Sequence, residues 1–507
     1  MLDSNSIPVE CKLSTTEQSR MMDSKTISEF GIDGFTLMEL AASSAAGHIK
    51  NIQGSNKTGL YICGKGNNAG DALAVARYLI NDAQHKATFF FVLGDNDLSP
   101  DAETNLSLLK KLKNHGAEIE FTDDLKTIDE QDFEYIVDGI FGTGLNSNLR
   151  GSVPEVVDKI NSFSIPVYSM DIPSGLQANS GEVLGACIKA DYTFTFGSNK
   201  VGLHWKNSRD YTGEVIFCNL PFPSYYRDWD ALLINQKMMD SLPQILREAR
   251  HKYDSGVVHI MAGSEGLTGA AIMAAKSAWK QGAGAVFLYA PKALLPIYEA
   301  TLPNIIKIGL GNDSDSCFKE KHADQVIKNI NNKKGILLAG PGIGKNAETE
   351  GCLLSVLKEQ RGPVLLDADA LSFWDKIYTS EISDQQKNRW LLTPHTGEAM
   401  NYLGARFTND FERFEWAREF ATQTKSSLLL KGNPAILMIS TGNNFITGYD
   451  TSAFSRAGFG DVLAGALAAN ISISENMELA VVSALYNGYK NSQEFGRDEP
   501  FGPEHLL

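Results

Sequence analysis

The chain has 507 residues, 43% hydrophobic and 21% charged, an ordinary globular balance in a chain too long for one core, so two to four domains of about 150 residues are expected. Its net charge of −15 argues against nucleic acid as a partner, because phosphate backbones are gripped by clustered Lys and Arg. No apolar run approaches the roughly 18 residues of a membrane span, and the opening MLDSNSIPVECKLS has neither the basic start nor the apolar core of a signal peptide.

Short apolar runs alternate with helical patterns almost throughout. Strands are expected at 59–63, 88–93, 135–138, 167–171 and 192–196, then at 256–261, 285–290, 335–339, 364–367, 427–431 and 435–440. Such alternation implies an α/β protein with parallel sheets flanked by helices. From residue 218 the stretch CNLPFPSYYRDWDAL has two prolines, several aromatics and no clear period. A domain boundary near 228 follows, dividing the chain into 1–227 and 228–507. The six cysteines, at 11, 63, 187, 218, 317 and 352, form no CxxC pair and no metal-type spacing, so buried free thiols in a reducing cytoplasm are expected.

The stretch GLYICGKGNNAGDALAVARYL, at 59–79, reads as a strand, a tight turn and a helix start. Gly64-x-Gly66-x-x-Ala69 satisfies the dinucleotide fingerprint, in which backbone amides at a helix N-terminus meet a pyrophosphate. Asn67, Asn68 and Asp71 are more than that fingerprint needs; either they cap the helix or they recognise something besides phosphate. Two more strand ends carry acids: VDGIFGTGL, with Asp138, Gly142 and Gly144, and MDIPSGLQANSGEV, with Asp171 and Ser174. Asn68, Asp138, Asp171 and Ser174 at one sheet edge would suit a hard cation, whereas each alone is also a common turn or cap residue.

In the second half the strongest chemical signal is TSAFSRAGFGDVLAGALAA, at 451–469. Gly458 and Gly460 precede Asp461 at the start of a small-residue helix, where backbone N–H groups form an anion hole. Asp461 can there accept the proton of a hydroxyl attacking a phosphoryl group, or it can simply complement the helix dipole. Asp367 and Asp369, at another strand end, either orient Mg²⁺ through water or cap the next helix.

GKGNNAGD, DGIFGTGL and DIPSGLQANSGEVLGACIKADYTFTFGSNKVGL, with a helix MMDSKTISEFGIDGFTLMELAA at 21–42, resemble the amino-terminal half of the bifunctional NAD(P)H-hydrate repair enzymes. The resemblance covers about 15–220. The motif at 251–284, AGPGIG (339–344), VLLDADAL (364–371), LLTPHTGEAMNYLG (391–404) and LLLKGNPAILM (428–438) are similar, in order, to the dehydratase branch of the ribokinase-like kinases, over about 230–490. The resemblance implies a Rossmann-like doubly wound epimerase domain followed by a ribokinase-like α/β dehydratase domain dependent on ADP or ATP with Mg²⁺.

For the first domain it implies a potassium ion on Asn68, Asp138 and Ser174, with Asp171 handling the proton. Asn67, Asn68, Ala69, Gly70 and Asp71 would contact the hydrated cofactor, as would Gly142, Thr143, Gly144, Leu145, Asn146, Ser147 and Asn148. For the second domain it implies that Ala270, Gly344, His395 and Asp461 lie on the hydrated cofactor. Lys431, Gly432, Asn433, Pro434, Ala435 and Gly460 would lie on the adenine nucleotide, with Gly458 shaping the same loop. Substrates would be NADHX and NADPHX, and the protein a cytoplasmic homo-oligomer that binds neither nucleic acid nor membrane.

The chain departs from the family pattern at Ala69 and Ala72, which replace glycines, at Thr396, at Phe459 beside the anion hole, and at Ala435. An alanine costs about 1 kcal/mol or more where φ is positive. The alternative reading is a ribokinase-like small-molecule kinase fused to a nucleotide-binding domain.

Overall fold

Strand Thr58–Cys63 buries all but its first residue, so helices must cover both faces of the sheet it joins. In the computed structural model, which describes residues 2–245, 255–474, 476–495 and 501–507, that sheet has seven strands, all parallel. Their order is Ile119–Thr122, Lys86–Phe91, Thr58–Cys63, Tyr135–Gly139, Val167–Met170, Tyr192–Phe196 and Glu214–Cys218. The winding reverses between Thr58–Cys63 and Tyr135–Gly139, and the loops leaving those two strands diverge to make a crevice.

The chain divides into two compact units: Lys12–Ala231 with Asn409–Phe411, and Met1–Cys11, Leu232–Thr408 and Glu412–Leu507. The second unit has its own sheet, in the order Ile306–Leu310, Ala285–Pro291, Val257–Met261, Ile336–Ala339, Val364–Leu366, Trp390–Leu392, Ser427–Leu430, Ile436–Met438, Asn444–Thr447 and Ala231–Ile234. It is parallel from Ile306–Leu310 to Ser427–Leu430. Ile436–Met438 then runs antiparallel to both its neighbours, which alternation of strands and helices does not anticipate. Its reversal lies between Val257–Met261 and Ile336–Ala339.

The structure corrects the single helix expected at 21–42. Gly31 adopts φ 93° and ends a turn begun by helix Thr16–Lys25. The Asp33 side chain then accepts from Thr36 N and caps a new helix, Gly34–Gln53. Tyrosines inside the first sheet keep their hydroxyls paired: Tyr61 and Tyr135 share a hydrogen bond of 2.8 Å, and His85 Nδ1 meets Tyr135 at 2.8 Å. All six cysteines are free; five are buried, and Cys317 is half-buried rather than buried as expected. No helix among the described residues is long and apolar enough to cross a membrane. The first four residues of the motif at 251–284 lie outside the described residues.

Candidate functional site

At the reversal of the first sheet lies a cavity of about 410 Å³, within the range of small-molecule sites. Lys65, Gly66, Asn67, Asn68 and Asp71 line it from the loop and helix after Thr58–Cys63, and Ile140 to Asn146 from the loop after Tyr135–Gly139. Asp171 closes it from the end of Val167–Met170. Gly64 permits the crossing of the two loops, because a Cβ there would lie 2.0 Å from the Ile140 carbonyl oxygen. Ala69 and Gly70, between the lining residues Asn68 and Asp71, are buried in the helix packing: a Cβ at Gly70 would meet Met38 at 2.6 Å. Asn148, further along its loop, lies near Gly185.

Ala69 and Ala72 fall inside helix Asn67–Ala83, and neither is among the residues with positive φ. The strain that alanine would bring to a left-handed turn therefore does not arise. Asn67, Asn68 and Asp71 likewise belong to the helix itself, whose N-cap is Gly66.

Asp138 is buried and accepts four hydrogen bonds, from Ser169 Oγ at 2.8 Å, Ser174 Oγ at 2.6 Å, Ser174 N at 2.9 Å and Ile140 N at 3.2 Å. Burial pushes its carboxyl above the ordinary range, and these bonds oppose the shift. Asn68 Nδ2 donates to the Phe141 carbonyl at 2.9 Å, whereas Asn68 Oδ1 is buried without a hydrogen-bond partner. Asn68, Asp138 and Ser174 are thus linked through the Phe141 peptide, since Phe141 N donates to Ser174 Oγ at 2.9 Å.

Asp171 stands at φ 61° and accepts at Oδ1 from Lys200 Nζ at 2.5 Å. Burial first, then the charge of Asp171, raise Asp71 well above the usual carboxylate range, while Lys200 opposes. Asp23 is also raised by burial and by Asp171. Sequence reasoning missed Lys200 and Asp23. Lysine is rarely buried, and its position inside SNKVGL was the sole available signal.

In the second unit Asp461 sits in the first turn of helix Phe459–Ile473, behind Gly458 at φ 95°. The positive φ at Gly458 favours glycine, and a Cβ there would also approach the Met273 side chain at 2.9 Å. The first N–H groups of this helix have no intrahelical partner by position. Phe459 does not crowd them: its ring is buried and packs against Phe454 and Phe501, with centroids 5.4 and 5.1 Å away. The Asp461 carboxyl is pushed up to about 6, by burial first and then by Asp367, with Lys431 opposing.

Asp367 stands at the N-cap position of the following helix, but its side chain makes no capping hydrogen bond. Its Oδ1 accepts from Lys431 Nζ at 2.7 Å and from Thr393 Oγ1 at 2.8 Å. Asp369 instead accepts from Gly344 N at 3.0 Å and pairs with Lys345 at 3.3 Å. Lys431 Nζ lies 3.6 Å from where a Cβ of Gly460 would be, which brings the KGNPA loop to the anion hole. That loop is fixed from behind: Arg413 Nη2 donates to the Pro434 carbonyl at 2.6 Å, and Thr451 Oγ1 to that of Gly432 at 2.7 Å. Ala435 N donates to Thr447 Oγ1 at 2.9 Å.

His395 is exposed and caps helix Thr396–Tyr402, with Glu398 N donating to its Nδ1 at 3.2 Å; Thr396 simply begins that helix. Ala270, on helix Thr268–Lys280, faces Gly342 across the second reversal, 3.2 Å from where a Cβ of Gly342 would lie.

Residues 34–202 match the family described as YjeF-related protein N-terminus, and residues 258–500 match the family described as NAD(P)H-hydrate dehydratase. The chain is 31% identical over 493 residues to a bifunctional NAD(P)H-hydrate repair enzyme of Dictyoglomus turgidum, covering 95% of this chain and 93% of that protein. It is 30% identical over 495 residues to the enzyme of the same name from Salinibacter ruber, covering 94% and 90%. Among solved structures, the ADP/ATP-dependent NAD(P)H-hydrate dehydratase of Bacillus subtilis, co-crystallised with ATP and Mg²⁺, matches 52% of this chain and 91% of its own, at 23% identity and a TM-score of 0.42.

Proposed function

The chain belongs to the bifunctional NAD(P)H-hydrate repair enzymes, and on that premise we propose that its two sites divide the repair of NADH and NADPH that have gained water across a nicotinamide double bond. The unit holding Asp171 interconverts the two epimers at the hydroxyl-bearing carbon. The unit holding Asp461 removes the hydroxyl with ADP or ATP, so that both products of spontaneous hydration are recovered.

The dehydration chemistry follows from leaving groups. Hydroxide leaves poorly and phosphate leaves well. Asp461 takes the hydroxyl proton, the oxygen attacks the terminal phosphorus, and the remaining nucleotide departs with the electrons of the broken P–O bond. Phosphate then leaves with the C–O pair, and loss of a ring proton restores the double bond. The amides at the start of Phe459–Ile473 gather phosphoryl oxygens, and Lys431 supplies positive charge beside them. Mg²⁺ would arrive on the nucleotide phosphates, where hard cations keep oxygen and water ligands.

At the epimerase cavity the donors fit a potassium ion. Asn68 Oδ1 is a buried oxygen without a partner, and Asp138 and Ser174 add only further oxygens. Asn68, Asp138 and Ser174 would hold the ion, whose charge would offset the negative oxygens of the bound dinucleotide. Free thiols throughout fit a reducing cytoplasm.

The observation that supports this reading most is Asp461: a carboxyl tuned to about 6, near working pH as a general base requires, at a helix start built to hold anions. Incubation with hydrated NADH and either ADP or ATP should restore the dihydronicotinamide absorbance; no recovery with either nucleotide refutes the proposal. A simple kinase would instead leave a stable phosphate ester, visible by mass spectrometry.

A further inference from the structure

We propose that Lys200 is a positioning residue for epimerisation: its buried ammonium grips one oxygen of Asp171 so that the other oxygen faces the substrate cavity. The inference rests on the epimerase reading of this unit and goes beyond it by naming what aims its proton-handling group.

Lys200 is 2% exposed, whereas the Asp171 side chain is 17% exposed. Here the cation lies beneath, and the carboxylate is at the wall of the cavity. The Lys200 ammonium donates to Asp171 Oδ1 at 2.5 Å and to the Phe196 carbonyl at 3.0 Å. Burying an ammonium is costly unless it is paired, and these two bonds meet that need.

The other oxygen, Oδ2, lies 3.5 Å from where a Cβ of Gly142 would be, and Asn68 Oδ1 lies 3.4 Å from the same point. Both oxygens therefore converge on space that Gly142 leaves open in a cavity-lining loop. The backbone adds to the constraint. Asp171, at φ 61°, donates its N–H to the Phe194 carbonyl at 2.7 Å, and Phe196 N donates to its Oδ1 at 3.4 Å. Strain of this kind persists where surrounding contacts over-determine a geometry. Asp171 raises the carboxyls of Asp23, on helix Thr16–Lys25, and Asp71, on helix Asn67–Ala83. Lys200 is the cation that offsets them.

The test uses the full chain and both epimers of hydrated NADH. Lys200→Met keeps an unbranched side chain of nearly the same length and removes the charge. Epimerisation kcat should fall about 10- to 100-fold while KM stays within about threefold, the pattern of a group acting in the transition state rather than in binding. Dehydration of the correct epimer in the same preparation should be unchanged, and the double variant Asp171→Asn/Lys200→Met should melt within a few degrees of wild type. A Lys200→Met chain with wild-type epimerisation kcat overturns the proposal. So does a kcat loss that appears only together with a low melting temperature persisting in the double variant. If the wild-type chain exchanges no epimers at all, the epimerase reading itself fails, and this inference with it.

Discussion

Lys431 donates to Asp367 Oδ1 at 2.7 Å, and the two charges act on Asp461 with opposite sign, Asp367 raising its carboxyl and Lys431 lowering it. As the proposed base, Asp461 must be ionised to act, so the dehydration rate should rise with pH through about 6 and level off above. Lys431→Met removes the lowering charge and should move that limb to higher pH. Asp367→Asn removes the raising charge and should move it to lower pH. Profiles of kcat/KM against pH for the three proteins decide the matter; limbs that move together would mean the charges do not act on the base as described.

Asp461 also sets a conflict between activity and stability. Its folded carboxyl is pushed up to about 6 from an ordinary 3.8, so it binds its proton more tightly folded than unfolded. Its favourable contribution is therefore present below about pH 4 and is lost as pH rises through 6. Asp461→Asn cannot ionise. At pH 8 it should be more stable than wild type by about 1–2 kcal/mol, a value reduced for the partial exposure of the group, and the advantage should vanish near pH 4. The same variant should lose about 10²–10⁴-fold in dehydration turnover. Thermal melts at pH 4 and pH 8, paired with turnover, test both halves.

Asp171→Ala should stop epimer exchange and leave dehydration of the correct epimer intact, because Asp171 and Asp461 belong to separate compact units. The readout is chiral separation of the hydrated cofactor before and after nucleotide addition. Loss of both activities from this one change would refute independent sites.

Much of this arrangement is readable from the chain because parallel strands end where chemistry begins. Val137, Leu366 and their neighbours are apolar on both faces, so each run stops visibly at an acid or glycine, and those stops are the site loops. What escapes the reading is what apolar runs do not mark. Ile306–Leu310 and Ile119–Thr122 are edge strands with only one fully buried residue each, and Trp390–Leu392 has only three residues. Lys200 escapes for another reason: nothing near it in sequence shows that residue 171 will be its partner. The roles of Asp367 and Asp369 were open because capping and ion pairing use the same residue type, and only the placement of Lys431 and Gly344 separates them.

The alanine at position 72 gives a sharper test of sequence against structure. Compared with the glycine usual in such loops it looks costly, but it lies within helix Asn67–Ala83, where alanine is favoured over glycine by about 1 kcal/mol. Its methyl also has a complement: a Cβ added to Gly139 would lie 2.6 Å from Ala72 Cβ, so the missing side chain on the strand makes room for the methyl on the helix. Ala72→Gly should therefore lose helix propensity and buried contact together, lowering stability by about 1–2 kcal/mol. Epimerisation should stay within about twofold of wild type, because Asp71 and Asn68 keep their helical frame and Ala72 does not line the cavity. A tenfold faster epimerase in that variant would mean that the loop needs glycine for its chemistry, and that the helix start described here is not its working form.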